Sequence, residues 1–112
     1  MYGRTSEPAA PVSIVVSYKL SPRAEARLLE IEESTAAKFG DYQADAYIAG
    51  FESTFELIAT FPGIGRSADE LCHGYRRYRY QSHHIFYTQE SDYVLIRAIM
   101  HTAQDLRPDL FE

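Results

Sequence analysis

Tryptophan is absent, cysteine occurs once, at Cys72, and lysine only twice, at Lys19 and Lys38, in a chain of 112 residues. A lone cysteine excludes an intrachain disulfide framework, so a reducing compartment is the natural home and the apolar core must carry the stability. A thiol nucleophile would need a base at hand. His73 is adjacent in sequence, but neighbours on a strand point to opposite faces, so Cys72 reads as incidental. No stretch approaches the run of about 18 apolar residues that a membrane span requires. The N-terminus also lacks the charged-then-apolar layout of a signal peptide. The expectation is a cytoplasmic protein with no direct membrane contact. Positive charge is scarce too: 11 basic against 16 acidic residues give a formal net charge of −5. Phosphate neutralisation needs Lys and Arg, so non-specific nucleic-acid binding is disfavoured.

Apolar residues, by contrast, are plentiful at 46% of the chain, enough for a real core. Nine tyrosines and six phenylalanines supply the aromatic surface. Tyrosine can bury its ring and keep its hydroxyl hydrogen-bonded, which suits a contact surface and a half-buried sheet face equally. The few basic residues are unevenly spread. Arg66, Arg76, Arg77 and Arg79 form a local patch that matters more than the net figure.

Residues 1–12 mix Gly3, Pro8 and Pro11 with small and polar residues and have no periodicity, so they read as a flexible leader. Residues 13–112 fit one domain. Residues 13–19 are rich in β-branched residues and predict a strand. Ser21 can cap a helix that Pro22 starts. Ala24, Leu28, Ile31 and Thr35 share one face of a helix over about 22–38. Gly40 permits the backbone turn that ends it, and Asp41 can cap the next helix. Ala44, Tyr47, Ile48, Phe51, Phe55 and Ile58 form a second stripe, stopped by Pro62. With so short a link the helices pack as an antiparallel hairpin.

Residues 61–66 are a turn-rich break. The period then changes to two: Arg77 and Arg79 fall on one face, Tyr78 and Tyr80 on the other. Residues 84–89 predict a second short strand, Glu90, Ser91 and Asp92 a polar turn. Residues 93–100, nearly all apolar, predict a central strand buried on both sides. The fold class is therefore α+β: an N-terminal strand, an antiparallel helix hairpin, then a three-stranded antiparallel meander, with the helices on one sheet face.

Four ordered segments resemble the ParE/RelE superfamily of type II toxins. They are Tyr18-Lys19-Leu20-Ser21-Pro22-Arg23-Ala24-Glu25-Ala26, Phe61-Pro62-Gly63-Ile64-Gly65-Arg66 followed by Asp69-Glu70-Leu71, Gly74-Tyr75-Arg76 with His84-Ile85-Phe86-Tyr87, and His101 with Asp105 four residues on. The wording is closer to ParE than to RelE. The resemblance implies a toxin that inhibits DNA gyrase without a catalytic centre of its own. It also implies a cognate ribbon-helix-helix, ParD-like antitoxin bound in a hetero-oligomer, and neither cofactor nor metal. The chain departs from the family in having Ala98, where many relatives carry Arg, and Thr102, Ala103 and Gln104 between His101 and Asp105.

Two alternatives follow. A RelE-like ribosome-dependent mRNA endonuclease would need proton transfer and cationic stabilisation of a phosphorane, here from Arg97, His101 and Tyr87. A module that keeps the fold and has lost toxicity would account for the missing basic residues. The candidate target-binding residues are Arg66, Arg76, Arg77, Arg79, Arg97, His101 and Asp105. Each has a plainer reading as well: the arginines as a solvated face, Arg66 as a cation at a helix C-terminus, and His101 with Asp105 as a structural pair. Antitoxin contact is expected on the hairpin at Leu29, Tyr42 and Tyr47, continuing to an exposed sheet edge. His83 and His84, being adjacent, can send only one ring into the core.

Overall fold

The computed structural model describes residues 17–111. The expected leader and residues 13–16 of the expected first strand lie outside them. In chain order the elements are β1 (Tyr18–Leu20), α1 (Pro22–Phe39), α2 (Asp41–Thr60), β2 (Arg66–Ser67), β3 (Arg76–Tyr80), β4 (His83–Gln89) and β5 (Val94–His101), then a 3-10 turn at Pro108–Phe111. The five strands form one sheet in the order β1-β5-β4-β3-β2. β1 runs parallel to β5, and every other pairing is antiparallel. The α+β expectation holds, with β2 an addition. Only Arg66 and Ser67 form β2, and two residues are too few to display a period within the turn-rich 61–66 segment.

Local chemistry explains the helix boundaries. The Ser21 Oγ accepts the Ala24 N–H at 3.1 Å and donates to the Arg97 carbonyl at 2.9 Å, so the cap of α1 is also fastened to β5. Gly40 has φ +91°, a region costly for any residue with a Cβ. Its N–H closes α1 on the Ala36 carbonyl at 2.9 Å, and its own carbonyl accepts the Ala44 N–H at 3.1 Å. One glycine thus ends α1 and begins α2. This corrects the assignment of Asp41 as the cap: it is the first residue of α2, where its charge faces the positive helix end, and no side chain caps that helix.

The hairpin covers one sheet face. Ala24 and Ile31 from α1 and Phe51, Phe55 and Ile58 from α2 pack on Ile85, Tyr87, Val94, Ile96 and Ile99. The opposite face is covered as well. Phe86, Ala98 and Met100 meet Ala68 and Phe111, with Leu71, Tyr75, Leu106 and Leu110 packed around them. The Phe111 ring lies 4.7 Å from that of Phe86 and 5.8 Å from that of Tyr75. The C-terminal turn therefore acts as a second layer, so β5 is buried from both sides as its composition demands.

A bulge interrupts β5. Phe86 stands opposite Ala98 and Tyr87 opposite Ile96, which leaves Arg97 as the extra residue. Strict alternation would put Arg97 and Ala98 on opposite faces. The bulge puts both on the face away from the helices. The Arg97 guanidinium lies 5.7 Å from the centre of the Tyr75 ring, and its Nε donates to the Thr88 Oγ1 at 3.1 Å.

Candidate functional site

The basic patch splits by strand parity. Arg77 and Arg79 point to the face away from the helices, as the period-two pattern predicts. Arg66 is opposite Arg77 across β2 and β3, and His84 is opposite Arg79 across β3 and β4. Together with Ile64 and Tyr78 these four residues line a cleft of about 300 Å³. None of the three arginines forms an ion pair among the described residues. The Arg77 Nε is buried without a hydrogen-bond partner, which is an unusual state for a guanidinium. Burial lowers the His84 pKa, and the charges of Arg77, Arg79 and Arg66 lower it further. The imidazole thus senses all three cations. Arg76 lies apart, its Nη1 donating to the Gly65 carbonyl at 2.7 Å. Arg66 sits on an edge strand, not at a helix terminus, so the capping alternative falls.

The residues proposed for a nuclease do not come together. Tyr87 is fully buried under the helices. Its hydroxyl donates to the Pro62 carbonyl at 2.7 Å and accepts the Gly65 N–H at 2.9 Å. Arg97 lies on the other face, held by Thr88 and, at 3.6 Å, by Glu90. His101 ends β5, opposite His83 and four pairs from the Tyr87 position. His101 makes no ion pair with Asp105 among the described residues; its Nδ1 accepts the Ala103 N–H at 3.0 Å instead. Asp105 is exposed. Cys72 and His73 lie in a turn, so strand parity does not govern them.

His83 is the feature that sequence reasoning valued too little. It is the one histidine buried among the described residues, 6% exposed. Its Nδ1 shares a 3.0 Å hydrogen bond with the Tyr47 hydroxyl. Burial, followed by the charges of His101, Arg27 and His84, lowers its pKa from 6.5 to about 4, so the ring is neutral near pH 7. The only signal in the sequence was the adjacent pair His83-His84, of which at most one ring can face inward.

The hairpin offers partner surface. Leu29 is 56% exposed and Tyr42 88%, with Phe39 at 66% beside Tyr42 at the tip. Tyr47 differs: its ring packs against Phe51 and Tyr80, each at 5.4 Å, so much of it belongs to the core. The outermost strands, β1 and β2, are the sheet edges of the described residues. No group of three or more His, Cys, Asp or Glu among those residues could hold a metal ion. No helix there is long and apolar enough to cross a membrane.

Comparison with known proteins places this geometry. A family model described as the ParE toxin of a type II toxin-antitoxin system, parDE, matches residues 18–106. Toxin ParE1 of Mycobacterium tuberculosis is 36% identical over 95 residues, which cover 83% of this chain and 96% of that protein. Toxin ParE1 of Caulobacter vibrioides is 36% identical over 93 residues, with the same coverage. Among solved structures, a chain of the chromosomal ParDE TA system from P. aeruginosa shares the fold, with a TM-score of 0.67 and 15% identity over 80% of this chain and 98% of that one.

Proposed function

This chain belongs to the ParE toxin family of type II toxin–antitoxin systems, and from that premise we propose that it inhibits DNA gyrase and is neutralised by a ParD-like antitoxin. The observation that supports the reading is the face bearing Arg66, Arg77 and Arg79. Among the described residues its three guanidiniums have no carboxylate partner, and no acid–base pair lines their cleft. Arginine is favoured in protein interfaces because its planar fork pairs with carboxylates and stacks on aromatics. A protein target fits that face, whereas RNA cleavage would need Tyr87, Arg97 and His101 in one place.

Inducible expression in a bacterium without the antitoxin tests the proposal. Filamentation, DNA-damage signalling and trapped gyrase cleavage complexes are expected, and Arg77→Glu with Arg79→Glu should remove them. Two central interface arginines contribute about 2 kcal/mol each, a combined loss of several hundredfold in affinity. Intact gyrase with an immediate block of translation and codon-linked cuts would move the assignment to the RelE-like nuclease. Growth without arrest would favour a non-toxic binding module.

The antitoxin reading rests on the exposed apolar residues of the hairpin. A disordered antitoxin segment that folds on binding gains its affinity by covering such surface. Leu29→Glu and Tyr42→Glu should each weaken antitoxin binding about tenfold or more by titration calorimetry. Unchanged affinity in both would put the interface elsewhere.

A further inference from the structure

On the helix side of the sheet, the opposite face from the Arg77 cleft, a second depression of about 480 Å³ opens between the hairpin tip and the ends of β4 and β5. That volume lies in the range of small-molecule sites. The chain carries sixteen acidic residues, yet no acidic residue among the described ones lines this cleft. Its charged lining is Arg27 and Lys38. Arg27 also touches Glu30, through an exposed 3.4 Å contact that competes little with a bound anion.

The uncharged lining is rich in donors as well. The His101 Nδ1 accepts the Ala103 N–H, so the ring proton sits on Nε2. The His83 Nδ1 is occupied by the Tyr47 hydroxyl, and when that hydroxyl donates, the His83 Nε2 carries the proton too. The two rings meet edge to face at 5.3 Å. The Ser82 hydroxyl adds another donor. Phe39 at the rim is two-thirds exposed with no aromatic partner among the described residues, an apolar platform next to a cationic floor. Ser34, Thr35 and Gln43 complete the polar lining with groups that can donate as well as accept. Cations and donors with no carboxylate among the described lining residues fit an oxyanion, and the free ring fits a planar group that can stack.

We propose that this cleft binds a small phosphate ester carrying a planar ring, of mononucleotide size, with the phosphate held by Arg27, Lys38, His83 and His101 and the ring laid on Phe39. The site is separate from the arginine face and does not depend on gyrase being the target.

The test is titration of the ¹⁵N-labelled full chain with AMP, inorganic phosphate and adenosine, followed by NMR. AMP should saturate with a dissociation constant on the order of 0.1 mM, a value reasonable for a ligand of that size. It should shift the ring signals of His83 and His101 and the amides of Lys38 and Phe39. Phosphate alone should move the same histidine signals about tenfold more weakly. Lys38→Glu with Arg27→Glu should raise the AMP constant at least tenfold without changing Tm. Phe39→Ala should weaken AMP and leave phosphate unchanged. The proposal is overturned if AMP gives no saturable shift, if adenosine binds as tightly as AMP, if the double charge reversal has no effect, or if an oligoglutamate peptide takes the cleft more tightly than AMP does.

Discussion

Tyr87→Phe is expected to destabilise the domain by about 2–3 kcal/mol, and Tyr87→Ala by about 4 kcal/mol or more. The larger figure is what emptying a buried aromatic site costs. The smaller one comes from the hydroxyl alone. It serves two backbone groups at once, the Pro62 carbonyl and the Gly65 N–H, and phenylalanine leaves both without partners. Gly65 is fitted to that hydroxyl: a Cβ there would lie 2.5 Å from it. The Gly65 carbonyl holds Arg76, so the turn that delivers β2 to the sheet is laced to β4 through one phenol. Burial raises the Tyr87 pKa above its usual value, chiefly by desolvation, so the phenol stays protonated and is a poor base. Urea denaturation checks the prediction: the midpoint should fall at unchanged m-value. Toxicity per folded molecule should persist in Tyr87→Phe. A variant of undiminished stability and lost toxicity would instead mean that the hydroxyl acts on a target.

Regular periods in the sequence carried most of the fold. The stripe through Ala44, Phe51, Phe55 and Ile58 and the parity of Arg77 against Tyr78 each depend on a repeat that many residues share, so both appear in the structure as expected. What escaped were features that depend on one residue or on distant partners. The bulge at Arg97 is invisible to alternation, because one inserted residue reverses parity only beyond it. The layer formed by Leu106, Leu110 and Phe111 has no periodic signal, since a single 3-10 turn is too short for one. For the site, the Arg66–Arg77–Arg79 cluster was legible from spacing, although Arg76 had to be removed from it. The likeness of Tyr87, Arg97 and His101 to a catalytic set was a likeness of residue types. Their separation is set by sheet register and by the bulge, which no local pattern encodes. His83 was hidden for a related reason: its neutral state follows from burial by α2, a tertiary fact.

That neutral state leads to the second large effect. Acidification from pH 7 to pH 4 should cost about 3 kcal/mol of folding stability through His83 alone. The folded-state pKa of about 4 lies below the 6.5 of the open chain, so the unfolded state takes up a proton first. Stability contributed by the neutral ring is complete above pH 6.5, falls as the pH drops from 6.5 to about 4, and is level below that. The opposing groups are the buried surroundings first, then His101, Arg27 and His84. His84 acts in the same direction, its own pKa lowered by burial and by Arg77, Arg79 and Arg66. Carboxylates also titrate at the lower end of this range, so the comparison must be differential. His83→Gln keeps a polar group beside the Tyr47 hydroxyl and cannot take up the proton. Urea unfolding at several pH values should show the wild-type chain losing stability faster than His83→Gln between pH 6.5 and 4, with the two curves parallel above pH 7. Parallel curves over the whole range would mean that the ring is protonated in the folded chain without cost, and that burial beneath α2 does not govern its charge.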